Sequence, residues 1–300
     1  MAVIYWEGKK EVTHMDIRKH YEKDPALRQS FNALAEETFG LNFENWYQSG
    51  FWQGDYVPYS LILDGQVVAN VSLNRTDMII HGEEKRLYQL GTVMTRQGYR
   101  GRGYIRSIMA EIEKDIADAD GVYLFANDSV LSFYPKFGFQ KAREYVYSKD
   151  LAQAGTCRME QMPMACPRQW HSLQRAMEAS TFPAACQMVH NPGLIFFYVT
   201  QFMQECVYYC PDLNTWVIGE IEDGALTLHC VFTHEAVSLE DVLAAFGSRI
   251  RSVTLGFTPE NPAGYTCREL QEEDTTFFVK GQAFRDFSQQ RLRIPSLSHA

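Results

Sequence analysis

Apolar residues at 105, 108, 109, 112 and 116 fall on one side of a 3.6-residue period, so Ile105, Ile108, Met109, Ile112 and Ile116 predict an amphipathic helix. Just ahead of it, Thr92-Val93-Met94-Thr95 predicts a strand, and Arg96-Gln97-Gly98-Tyr99-Arg100-Gly101-Arg102-Gly103 a turn leading into the helix. Behind the helix, Gly121-Val122-Tyr123-Leu124-Phe125-Ala126 is an unbroken apolar run between Gly and Asn, the pattern of a buried strand. Two hairpins are written elsewhere: 59–63 and 66–73 flank Asp64-Gly65, and 216–221 and 225–232 flank Glu222-Asp223-Gly224. After the second hairpin, Ser238-Leu239-Glu240-Asp241 has the form of a capping box opening a helix over 242–246, with a strand over 250–257 to follow. Hairpin, helix and strand therefore occur in the same order twice, which predicts two similar α/β halves.

The Gly/Arg turn is the chemically suggestive segment. Glycines let successive backbone N–H groups curl into one concavity, and the helix start adds unpaired donors and the positive end of a dipole. Such a turn suits a phosphate. Its counterpart in the second half, Phe232-Thr233-His234-Glu235-Ala236-Val237, has no glycine or arginine and cannot cradle a phosphate in that way.

Composition narrows the field modestly. A length of 300 residues suffices for one large or two ordinary domains. The net charge of −9 argues against nucleic acid and anionic membranes as partners. No basic leader with an apolar run opens the chain and no long apolar stretch interrupts it, so a soluble, cytoplasmic protein is expected. All seven cysteines lie in the second half, with no Cys-x-x-Cys, and read as reduced structural thiols. His229, Cys230 and His234 alternate as on a strand without further ligands nearby, and no metal is expected.

The run from the Gly/Arg turn to Asn127-Asp128-Ser129 and Phe133-Tyr134-Pro135-Lys136-Phe137-Gly138-Phe139 resembles the GCN5-related N-acetyltransferases (GNAT) over roughly residues 1–150, and more closely their two-domain, enhanced-intracellular-survival-like branch. The resemblance implies a fold of class α/β (α+β), a mixed, mostly antiparallel sheet flanked by helices, followed by a second, degenerate GNAT-like domain. The expected division is a catalytic domain over 1–150, a connector over 151–167 containing Gly155, Pro163 and Pro167, a domain without cofactor loop over 168–282 and a tail over 283–300. It implies acetyl-CoA as acyl donor, its pyrophosphate on Arg100, Gly101, Arg102, Gly103, Tyr104 and Ile105. Its pantetheine arm would run along Val93, Met94 and Thr95, with Asn127 and Ser129 across from it. Ile105 stands where the family usually has Gly or Ala, a departure that bears on cofactor affinity.

The same resemblance makes Tyr134 the acid that protonates the departing thiolate; the alternative is a core aromatic beside Phe133, Phe137 and Phe139. The acceptor would be a small-molecule or peptidyl amine. An amine of pKa ~10.4 is neutral only about one part in a few thousand at pH 7, so a proton acceptor is needed. Glu37 is one candidate, in a stretch where Glu36, Glu37, Glu44 and Asp55 alternate with aromatics able to hold a cation; a packed helix pair with a solvated acidic face is the alternative. The resemblance to the two-domain branch implies another, the terminal carboxylate of Ala300, on a tail able to fold back. A catalytically silent acetyl-CoA-binding regulator or interaction protein remains the alternative function, and the oligomeric state, a homodimer included, is left open.

Overall fold

The computed structural model describes residues 16–152 and 156–299. In the first half the strands are β1 (Asp16–Arg18), β2 (Tyr56–Leu63), β3 (Gln66–Arg75), β4 (Met78–Ile80), β5 (Glu83–Lys85), β6 (Leu87–Thr95), β7 (Gly121–Ala126), β8 (Gln140–Lys141) and β9 (Tyr145–Asp150), with helices α1 (Pro25–Phe39), α2 (Glu44–Gln48) and α3 (Tyr104–Asp115). In the second half come β10 (Glu160–Gln161), β11 (Ala184–Met188), β12 (Val207–Cys210), β13 (Thr215–Glu222), β14 (Ala225–Phe232), β15 (Ser252–Leu255), β16 (Thr258–Pro259), β17 (Thr266–Glu269) and β18 (Thr276–Gly281), with α4 (Pro167–Ala179), α5 (Pro192–Gln201) and α6 (Leu239–Ala244).

Local sequence accounts for the main elements. Both hairpins close through a two-residue turn at positive φ, Asp64 (48°) with Gly65 (77°) and Asp223 (48°) with Gly224 (78°), which suits the strand twist. Ser238 caps α6 by accepting from the Asp241 N–H at 3.1 Å, while the Asp241 carboxylate returns to the Ser238 backbone N–H at 3.2 Å. Helix α3 buries Ile108, Met109 and Ile112 against the first sheet, as its periodicity predicts.

Two seven-stranded sheets and a four-stranded one result, with strand orders β1-β2-β3-β6-β7-β18-β8, β10-β12-β13-β14-β15-β9-β17 and β16-β11-β4-β5. Each large sheet has one parallel neighbour pair, β6 with β7 and β14 with β15, in the same position, and its other pairs are antiparallel. The architecture is thus a mixed, mostly antiparallel α/β fold built twice.

The division of the chain differs from that read in the sequence. Strand β9, within the expected first domain, lies in the second sheet between β15 and β17. Strand β18, within the expected second domain, lies in the first sheet between β7 and β8. The halves exchange strands at matching positions. The expected connector 151–167 contributes β10, paired with β12 at the edge of the second sheet. Alternation along a strand selects the face it buries, not the sheet it joins, which is why these assignments were not legible. The third sheet unites β4 and β5 from one half with β11 and β16 from the other, and the tail is buried through Ile294, Leu297 and Ser298.

Candidate active site

Strands β6 and β7 pair only at Leu87↔Gly121, Tyr88↔Val122 and Gln89↔Tyr123 and then part. Beyond that point β7 is held by β18, while β6 stays on β3 through an irregularity. Asn70 faces Met94 but Ser72 faces Gly91, so Thr92 and Val93 together oppose Val71, a bulge in which Thr92 takes φ 47°. Its partners fix this strained residue: the Asn70 side-chain amide donates to the Thr92 carbonyl at 2.9 Å, and the Tyr56 and Thr92 hydroxyls share a hydrogen bond of 2.6 Å. Asn70 is itself gripped, accepting from Ser60 Oγ at 2.8 Å and donating to Ser72 Oγ at 2.9 Å. A bulge pinned by buried polar side chains thus bends β6 away from β7.

The opening holds a cavity of about 1140 Å³. Of the residues that sequence reasoning assigned to an acyl donor, Val93, Met94, Thr95, Arg100, Gly101, Ile105, Asn127 and Ser129 line it, and so does Tyr134. Arg102, Gly103 and Tyr104 complete the loop without being part of the cavity wall. Gly101 and Gly103 sit at φ 76° and 79° with open space where a Cβ would be, so backbone conformation, not crowding, requires glycine. Arg100 Nε donates to the Thr95 carbonyl at 3.2 Å and an Arg102 guanidinium N–H to the Gly98 carbonyl at 3.2 Å, which ties the turn together. The first turn of α3 contains no acidic residue. Ile105 leans its side chain on the core beneath α3, leaving its backbone N–H at the helix start.

Tyr134 is buried among Phe133, Phe139 and Phe278, and burial pushes its phenol up to about 12. It is therefore a core aromatic that also lines the cavity. Asn127 donates to Asp274 Oδ2 at 2.8 Å and the Asp128 N–H to Asp274 Oδ1 at 2.6 Å, so a loop of the second half closes one side of the site.

The acidic residues expected around an acceptor lie elsewhere. Glu37 pairs with Arg96 at 3.2 Å and is not in the cavity wall. Glu44 is gripped by Arg28 at 2.8 and 3.1 Å, which lowers its carboxyl, and Glu36 accepts from Asn42 at 2.6 Å. Asp55 is partly buried, which raises its carboxyl, and lies outside the cavity. What this region does supply is apolar: Phe39, Leu41, Phe43 and Trp46 line the cavity. Ala300 lies outside the described residues; His299 beside it stacks on Phe125 at 3.8 Å and lines the cavity, with its carbonyl accepting from the Tyr198 hydroxyl. Phe197, Tyr198, Phe202, Asp274 and His299 all come from the second half, where no local motif marks them.

The second sheet parts likewise beyond Leu228↔Leu255. There the tail packs in: the Ser296 N–H donates to the Gly256 carbonyl at 2.7 Å, and Ser296 Oγ bonds His229 Nδ1 at 2.7 Å. A Cβ on Gly256 would come within 2.3 Å of Ser296 Oγ, so only glycine admits the tail. His229, whose other nitrogen meets Glu220 at 3.0 Å, serves this contact.

Residues 26–142 match the family described as an acetyltransferase (GNAT) domain. No curated protein matches the chain. Among solved structures, it is similar to a conserved protein of unknown function from Enterococcus faecalis V583 described as a probable N-acyltransferase, with 16% identity, 92% of this chain and 74% of that one covered, and a TM-score of 0.58. A GCN5-related N-acetyltransferase from Kribbella flavida gives 16% identity, 90% and 72% coverage and a TM-score of 0.54. Eis1 from Mycobacterium abscessus gives 13%, 88%, 72% and 0.53. The resemblance to the GNAT family and to its Eis-like branch, drawn first from motifs, thus extends over most of the chain as a likeness of fold.

Proposed function

We propose that this chain, with its GNAT-type acetyltransferase domain over residues 26–142, is an N-acetyltransferase that moves an acetyl group from acetyl-CoA to an amine by direct attack. The observation that carries the reading is the single cavity in the β6–β7 opening, which is shared by the Gly/Arg loop, the free end of β6 and the Tyr134 phenol. In this reading the α3 N-terminus and the turn at Gly101 and Gly103 hold the pyrophosphate, with Arg100 and Arg102 nearby as counter-charges. Val93, Met94 and Thr95 carry the pantetheine arm, and backbone N–H groups there polarise the acetyl carbonyl. The neutral amine nitrogen attacks the thioester carbon, the carbon–sulfur bond breaks, and the amine gives up a proton. Tyr134 protonates the leaving thiolate; burial raises its phenol, which is therefore in the protonated form at neutral pH.

The test is the Tyr134→Phe variant in a thiol-release assay, with acetyl-CoA affinity measured by calorimetry. We expect kcat to fall about 100-fold or more while the acetyl-CoA Kd changes less than about twofold. Unchanged turnover would remove the acid role. Glu37, held by Arg96 outside the cavity wall, is a weak candidate for the proton acceptor, and Glu37→Gln is expected to leave kcat within about twofold.

One observation favours a second reading, that of a silent acetyl-CoA-binding regulator. The Asp274 carboxylate takes the Asn127 and Asp128 donors that would face the cofactor. Acetyl-CoA binding without thiol release across a panel of amines would select it.

A further inference from the structure

We infer that the acceptor is an amine with an aromatic or otherwise apolar body and a single ammonium group, not a polycation, and that it enters past Phe39 and Phe202. This rests on the acetyltransferase reading above and narrows it to a substrate class.

Three large hydrophobic side chains stand exposed among the described residues, Phe39 (42%), Val130 (37%) and Phe202 (60%), and all three line this cavity. A surface that covers its large apolar groups elsewhere and uncovers them around one opening is arranged for an apolar ligand. Behind Phe202 the wall continues as stacked rings: Phe202 meets Phe197 edge-on at 5.9 Å, and Phe197 stacks on Phe43 at 5.2 Å. Aromatic faces hold one ammonium well.

Charge in the wall is sparse. Arg100 and Asp274 are its charged residues among those described, and Asp274 already accepts from Asn127 and from the Asp128 N–H. Each additional ammonium of a polyamine or aminoglycoside would lose water without gaining a free carboxylate, since Glu36, Glu37 and Glu44 are engaged outside. The His299 ring, fixed on Phe125, also lines the wall, and burial keeps this imidazole neutral, so it adds no repulsion toward a cation.

The experiment is calorimetric binding of 2-phenylethylamine, spermidine and kanamycin to the full chain, with and without CoA, followed by thiol release from acetyl-CoA with each amine. We expect 2-phenylethylamine to bind about tenfold or more tightly than spermidine, and kcat/KM to rank the same way. Phe202→Ser, at an exposed position where folding is not at stake, should weaken 2-phenylethylamine about three- to tenfold and leave the acetyl-CoA Kd unchanged. Equal or tighter binding of spermidine or kanamycin would overturn the inference, as would indifference of 2-phenylethylamine to Phe202→Ser. Faster use of hexanoyl-CoA than of acetyl-CoA, with no amine selectivity, would also overturn it, by assigning the apolar space to the donor's chain. Failure of acetyl-CoA to bind would instead sink the acetyltransferase reading, and the amine ranking without CoA would still decide the inference.

Discussion

Glu144 is the residue whose surroundings most contradict its chemistry. It is fully enclosed, its carboxylate accepts from the Ile294 N–H at 2.8 Å, and burial pushes its carboxyl up to about 8 despite that bond and the nearby Arg293. A folded-state pKa above the unfolded value of about 4.5 means that the folded protein binds this proton more tightly. The contribution to stability is complete below pH 4.5, is lost as pH rises toward 8 and changes no further above it. Glu144→Gln should therefore gain on the wild type between pH 5 and pH 8, at no more than about 1.4 kcal/mol per pH unit, in urea melts at pH 5, 6.5 and 8.5. A difference independent of pH would refute the assignment. Side chains of this kind were invisible beforehand: nothing near Glu144 in sequence says that it meets Ile294. That Tyr134 lines the cavity was readable because its motif is local, whereas the Glu37–Arg96 pair joins residues 59 positions apart and was not.

At the level of elements, the turn between β6 and α3 separates conformational need from composition. Gly98 has an ordinary φ and open space around it, while Gly101 has φ 76° and equally open space. Gly98→Ala should stabilise by about 0.4–1 kcal/mol, by restricting the unfolded chain. Gly101→Ala should destabilise by about 1–2 kcal/mol, from left-handed strain alone. Denaturation midpoints of the two variants will have opposite signs if the turn is as described; the same sign for both would show that it is not. The turn, the α3 stripe, both hairpins and the Ser238 capping box were readable because each is decided within a few residues. The Thr92 bulge was not, since it takes Asn70 and Tyr56 from other strands to stabilise its backbone.

Over the whole molecule, exchange of β9 and β18 makes each half depend on the other. Fragments 1–152 and 156–300 expressed separately should lack a cooperative unfolding transition, because each leaves a sheet short of one strand. Expressed together they should co-purify as one complex with acetyl-CoA affinity near that of the intact chain. Independent folding of the first fragment, with full acetyl-CoA affinity, would contradict this dependence. Among the described residues no helix is long and apolar enough to cross a membrane. The sequence by itself determined the repeated hairpin–helix–strand order and the Gly/Arg loop with Tyr134 after it, because period, capping and turn chemistry act over short separations. Tertiary structure alone decided that the strands cross over, that the second opening takes the tail while the first keeps its cavity, and that aromatics from both halves wall that cavity. Those outcomes depend on which distant surfaces meet, and burial, unlike a turn, carries no address along the chain.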